Sequence, residues 1–110
     1  MLMRSNEPDW DALVDEPSAR VSRSVFVDEA IHALEIERIF NRCWLFVAHE
    51  SEIPNPGDYV TRRMADDHVI VMRGPDARVR VFLNNCAHRG VKVCRADSGH
   101  ARQLICPYHG

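Results

Sequence analysis

The sequence lacks a long apolar run, an excess of charge of one sign and, apart from Lys92, lysine. No apolar run approaches the length that spans a bilayer, and residues 1–22 lack the apolar core of a signal peptide. We therefore expect a cytoplasmic protein with no membrane segment. The 14 basic and 16 acidic side chains leave a formal net charge of -2, which creates no long-range field that would attract nucleic acid.

The chain has four cysteines, and their use depends on the redox compartment. In a secreted protein of this size they could form two disulfides, whereas in a reducing compartment metal binding is the more common use. The remaining composition, 45% apolar and 27% charged, is that of a soluble globular protein with at most one domain. The spacing of the cysteines therefore decides between the two uses.

The first part of the chain predicts an arm followed by one helix. Residues 1–24 contain Pro8 and Pro17 and show neither helical nor strand periodicity, so we expect an arm or extension. Asp28 can cap the segment that follows, in which apolar residues recur on one face and charged residues on the other. This pattern predicts an amphipathic helix over residues 28–42.

Three residues are expected in the core. Cys43 continues the apolar face of the helix, and Trp44 begins a short apolar run that predicts a buried strand over residues 44–47. Cys94, eight residues after Cys86, is expected to be a small buried side chain and not a further metal ligand.

The second part of the chain predicts a small antiparallel β domain. Alternating or β-branched runs occur at residues 59–64, 68–73 and 78–84, and Gly-Pro-Asp at 74–76 is typical of a hairpin turn. The fold class is therefore mainly β within an α+β chain. We expect an arm over 1–24, followed by a helix and the β domain over 25–110.

Two short motifs follow the third predicted strand. Cys86 and His88 form a C-x-H motif, and Cys106 and His109 form a C-x-x-H motif seventeen residues later. A thiolate and an imidazole in each of two loops are the ligands of an iron–sulfur cluster in which two thiolates bind one iron and two imidazoles bind the other. We therefore predict that these four residues bind a [2Fe-2S] cluster of the Rieske type, which accepts and passes on one electron.

A structural zinc ion is the alternative for the same four residues. Zinc is commonly bound by four sulfur or nitrogen ligands in pairs separated by two to four residues. The C-x-H pair is shorter than the usual zinc spacing, and a glycine follows each C-x-H and C-x-x-H pair closely, as in Rieske sequences. A zinc-stabilised binding module without a redox role therefore stays open as an alternative function.

Residues 86–110, CAHRGVKVCRADSGHARQLICPYHG, closely resemble the cluster-binding segment of the alpha subunits of aromatic-ring-hydroxylating dioxygenases. The resemblance extends upstream to residue 25 and includes the IPNPGDY sequence at 53–59, which short Rieske ferredoxins lack. Respiratory-chain Rieske proteins resemble the chain less, because they have additional disulfide-forming cysteines where this sequence has Val91 and Tyr108.

The resemblance implies the electron-transfer part of a multi-subunit oxidoreductase. Electrons would pass from NADH or NADPH through a reductase, usually with a ferredoxin, to the cluster and then to a mononuclear Fe(II) that dihydroxylates an aromatic substrate. The family's trimeric alpha or alpha–beta assembly is implied as well. A stand-alone Rieske ferredoxin is the second hypothesis.

The resemblance also implies that this sequence is truncated at its C-terminus. Family members continue beyond the position of Gly110 into a catalytic domain that contains the mononuclear iron and the substrate contacts, so no catalytic residue is assigned to this chain. A ligand next to a chain end is prone to fraying. We therefore expect the 110-residue polypeptide alone to bind its cluster weakly.

Overall fold

A computed structural model describes residues 7–110 and divides the chain into two compact units, Met1–Cys43 and Trp44–Gly110. The first unit is mainly helical and the second contains a four-stranded sheet. The boundary predicted at residue 24, between an arm and the rest of the chain, stays a prediction.

The first unit consists of short helices and a two-stranded hairpin. Its elements are α1 (Trp10–Leu13), β1 (Val14–Asp15), β2 (Arg20–Val21), α2 (Ser24–Val27) and α3 (Glu29–Glu35), followed by a π-helical segment (Ile36–Phe40). The predicted arm contains short helical and strand elements in its described part, although the sequence shows no periodicity there. The elements there are two to four residues long, which is too short for periodicity to detect.

The predicted amphipathic helix corresponds to α3 and its π-helical continuation. The Asp28 carboxylate accepts hydrogen bonds from the N–H groups of Ala30 and Ile31, at 2.8 and 3.2 Å, and so caps the helix. Ile31 is buried, as expected for the apolar face. The π segment widens the last turn, and the N–H of Asn41 donates to the carbonyl of Ile36 at 3.0 Å.

The second unit contains an antiparallel sheet with strand order β5-β4-β3-β6. The strands are β3 (Asp58–Met64), β4 (Asp67–Arg73), β5 (Val79–Leu83) and β6 (Ser98–His100), and a single 3₁₀ turn at Glu50–Glu52 precedes them. The three predicted strands are confirmed. The predicted turn is also confirmed, because the N–H of Gly74 donates to the carbonyl of Arg78 across it at 2.8 Å.

The core of the second unit lies against the two central strands. Ile53, Val60 and Val71 form a buried cluster, with Val47 and Ala48 packed against it. Val60 and Val71 are directly paired across β3 and β4, so their side chains lie on the same face of the sheet.

The expectations for Cys43 and Trp44 were wrong. Cys43 is exposed, and so are Trp44 and Phe46, which lie in a segment without regular secondary structure. An apolar run becomes a buried strand only when a neighbouring strand pairs with it, and among residues 7–110 no strand pairs with this segment. Cys94 is buried, as predicted.

Candidate metal centre

The first candidate ligand loop begins three residues after β5. The N–H of Cys86 donates to the carbonyl of Val91 at 2.8 Å, and the N–H of Gly90 donates back to the carbonyl of Cys86 at 2.7 Å. Gly90 has φ +69°, and a Cβ atom there would have no neighbour within 4 Å. The loop therefore requires glycine for its backbone conformation and not for space.

The second candidate ligand loop repeats this turn. The N–H of Gly110 donates to the carbonyl of Cys106 at 3.0 Å, and Gly110 has φ +93°. In both loops a glycine with positive φ lies four residues after the cysteine and bonds to its carbonyl. The two motifs differ by one residue in the position of the histidine, and yet their loops close in the same way.

The structure brings the four predicted ligands together as two like pairs. The rings of His88 and His109 lie with their centroids 5.2 Å apart and their planes inclined by 57°. The side chains of Cys86 and Cys106 lie close enough for the Cys106 thiol to lower the pKa of the Cys86 thiol. Within residues 7–110, no group of three or more His, Cys, Asp or Glu side chains is arranged as a site for one metal ion.

The two pairs differ in exposure. The cysteines are half-buried, whereas both histidine rings are exposed. Tyr108 packs against the ring of His109 with a centroid distance of 4.2 Å. The imidazole pair therefore forms the outer edge of the site.

The environment of Cys86 favours its ionised form. A hydrogen bond from the backbone N–H of His88 lowers the pKa of the Cys86 thiol, and the Cys106 thiol and the N–H of Arg89 act in the same direction. Partial desolvation opposes these contacts. Because the thiolate is the form that binds metal, the loop backbone prepares this cysteine for a ligand role.

Cys94 has the opposite environment. Burial raises the pKa of its thiol, and its side chain contacts the hydroxyl of Tyr59. A neutral buried thiol of this kind is a structural side chain, which agrees with the prediction from the sequence. All four cysteines are free thiols, so none of the four is used in a disulfide.

The donor set fits a [2Fe-2S] cluster of mixed ligation. Two thiols and two imidazoles are paired by type, and such a cluster requires two sulfur ligands on one iron and two nitrogen ligands on the other. A buried polar residue, Asn84, contacts the backbone at the base of the first loop. Its role was not predicted, since an asparagine after a strand carries no recognisable sequence signal.

Comparison with known proteins matches residues 43–110 to the family profile described as Rieske [2Fe-2S] domain. The chain belongs to the Rieske [2Fe-2S] domain family. The matched range contains both candidate ligand loops and the whole four-stranded sheet. The predicted fold class is thereby confirmed.

Relatives of this Rieske domain include oxygenase alpha subunits. The chain is 47% identical over 110 residues to the benzene 1,2-dioxygenase subunit alpha of Pseudomonas putida, a match that covers 99% of this chain and 24% of the relative. It is 51% identical over 86 residues to the N,N-dimethyl phenylurea N-demethylase subunit alpha of a Sphingobium strain, covering 78% and 19%. The predicted resemblance to ring-hydroxylating dioxygenase alpha subunits is confirmed.

The fold agrees with that of a solved relative. The crystal structure of naphthalene 1,2-dioxygenase from Rhodococcus sp. bound to indole superposes with a TM-score of 0.75 at 48% identity, covering 82% of this chain and 20% of that chain. The present chain thus spans about a quarter of the length of the curated dioxygenase alpha subunits that it matches.

Proposed function

We propose that Cys86, His88, Cys106 and His109 bind a Rieske [2Fe-2S] cluster that serves an oxygenase. The observation that carries this proposal is the pairing of thiol with thiol and imidazole with imidazole by two loops of the same construction. The cluster, when bound, supplies transfer of one electron at a time. Neutral imidazoles in place of two thiolates make the site less negative and its reduction easier.

The residues of the chain supply the asymmetry of the site. Cys86 and Cys106 would hold the inner iron from their half-buried positions, and His88 and His109 would hold the outer iron. With two thiolates and two imidazoles as ligands, the bound cluster would have no open position for a substrate. The chain's own role is therefore to bind the cluster and to present its imidazole edge to a redox partner.

The relatives support a proposal for the wider activity. We infer that the electrons come from NADH or NADPH through a reductase, with or without a ferredoxin, and reach a mononuclear non-haem Fe(II) that dihydroxylates an aromatic compound. A trimeric alpha or alpha–beta assembly is part of the same proposal. One relative is an N-demethylase of a phenylurea and another is a benzene dioxygenase, so we assign no particular aromatic substrate to this protein. A stand-alone carrier is disfavoured, because the similarity to an alpha subunit covers 99% of the chain.

Charge on the ligand loops supports an acidic electron donor. Residues 84–110 contain four basic side chains, Arg89, Lys92, Arg95 and Arg102, and a single carboxylate, although the whole chain has a net charge of -2. All four are exposed, and in the described part of the chain none of them takes part in an ion pair. A basic surface beside the cluster steers and orients an acidic partner.

We place the protein in the cytoplasm as part of this proposal. In the structure, no helix among residues 7–110 is long and apolar enough to cross a bilayer.

Metal and sulfide analysis tests the proposal. The protein at its full natural length is purified without oxygen, and iron, zinc and acid-labile sulfide are measured together with the visible and EPR spectra. We expect acid-labile sulfide together with iron in excess over it, because the inferred mononuclear iron adds to the irons of the cluster. The sulfide and the cluster iron should be lost in Cys86→Ser and retained in the exposed control Cys43→Ser. Zinc without sulfide in a colourless protein would contradict the proposal.

A further inference from the structure

Asn84 is the only polar side chain that is buried among residues 7–110, with 2% of its surface exposed. It follows the last residue of β5 and precedes Cys86 by two positions. Its own backbone N–H donates to the carbonyl of His68 at 2.7 Å, which ties this point of the chain to β4. The start of the first ligand loop is therefore anchored to the sheet.

The side chain of Asn84 anchors the end of the same loop. Its Oδ1 accepts hydrogen bonds from the N–H groups of Cys94, at 2.8 Å, and Val93, at 3.1 Å. Its Nδ2 donates to the carbonyl of Cys94 at 2.8 Å. Three bonds from one amide thus connect residue 84 to the backbone nine and ten positions along the chain, and Cys86 and His88 lie within the segment that they close.

The loop is consequently closed twice. The inner closure is the bond between Cys86 and Val91, and the outer closure is made by Asn84. At the loop tip His88 is exposed and the Gly90 backbone has open space beside it, so the tip gains little from packing. The position of the tip depends on how firmly its base is fixed.

We propose that Asn84 is a positioning residue for the cluster, which fixes the first ligand loop so that Cys86 and His88 meet Cys106 and His109 at a constant separation. This inference rests on the proposed function. Only a side chain with both an acceptor and a donor can make the three bonds. Leucine has a similar size but would leave two N–H groups and one carbonyl buried without partners, whereas aspartate keeps an acceptor for both N–H groups.

The test separates positioning from general stability. Asn84→Leu and Asn84→Asp are compared with Val71→Ala, a buried substitution in β4 outside the loop, in the protein at its full natural length. The free energy of unfolding of each apoprotein is measured in urea, and cluster loss is followed by visible absorbance. The EPR spectrum of the reduced cluster reports its geometry.

At equal unfolding free energy we expect Asn84→Leu to lose its cluster roughly ten- to a hundredfold faster than Val71→Ala, with a broadened EPR spectrum. Asn84→Asp should lie between Asn84→Leu and the wild type. Equal rates of cluster loss and unchanged spectra in the Asn84 variants would overturn the inference while leaving the proposed function intact. If Asn84→Leu does not fold, Asn84→Asp decides the matter by the same two readouts. A wild-type protein without a cluster would overturn both proposals.

Discussion

Gly90→Ala is expected to destabilise the first ligand loop through the backbone alone. The φ angle of Gly90 is +69°, and no atom lies within 4 Å of the position that a Cβ would occupy. The added methyl group therefore meets no neighbour, and the whole cost is that of placing an L-residue in the left-handed region. That cost is about 1–2 kcal/mol, which corresponds to a factor of roughly 5–30 in an equilibrium constant.

The assay is urea unfolding of the apoprotein together with the rate of cluster loss from the holoprotein. Gly90→Asn serves as the partial rescue, because asparagine tolerates this conformation better than alanine does. Ala77→Gly is the reverse control, since Ala77 has φ +63° and glycine would relieve the strain. Gly90→Ala and Ala77→Gly should shift stability in opposite directions. Gly90→Ala with wild-type stability and cluster retention would refute the argument from backbone strain.

Three further predictions follow from burial and charge. Ile53→Ala, at a site 1% exposed, should lower the free energy of unfolding by about 2–5 kcal/mol. The control Val79→Ala, at an exposed site, should change it by about 0.5 kcal/mol or less. Urea unfolding measures both values. The hydrogen bond from Arg80 lowers the pKa of Asp76 to about 2, below its usual value of 3.8. The stabilisation of the folded state by this pair is therefore complete above about pH 4 and is lost as the pH falls towards 2. NMR titration of Asp76 measures the lowered pKa, and acid unfolding of Asp76→Asn tests whether this loss of stability disappears. Arg89→Glu should slow reduction of the cluster by an acidic ferredoxin and weaken the dependence of that rate on salt, because Arg89 is exposed beside the ligands. Stopped-flow absorbance measures the rate. A rate equal to that of the wild type at low salt would exclude docking of the ferredoxin at Arg89.

Local spacing was sufficient to find the candidate ligands and three of the strands. The motifs at Cys86 and Cys106 each lie within one loop, so the residues that act together are also close in sequence. The strands β3, β4 and β5 follow from runs that either alternate or are rich in β-branched residues, as in the Val-Ile-Val run of β4.

Features that depend on distant contacts could not be predicted. Trp44 is apolar, but its burial depends on whether another strand pairs with it, and sequence composition does not contain that information. Strand β6 has three exposed residues and no apolar alternation, so it exists only through its pairing with β3. Asn84 acts through backbone atoms ten residues away, and a backbone partner leaves no mark on the sequence.

Nitrogen coupling to the reduced cluster tests the central claim most directly. The protein is prepared with ¹⁵N-labelled histidine, reduced by one electron and studied by pulsed EPR. We predict couplings from two imidazole nitrogens, of which one is lost in a His88 variant that still folds and the other in a His109 variant. A cluster with no histidine coupling, or one whose couplings survive both substitutions, would show that the irons are bound by other residues.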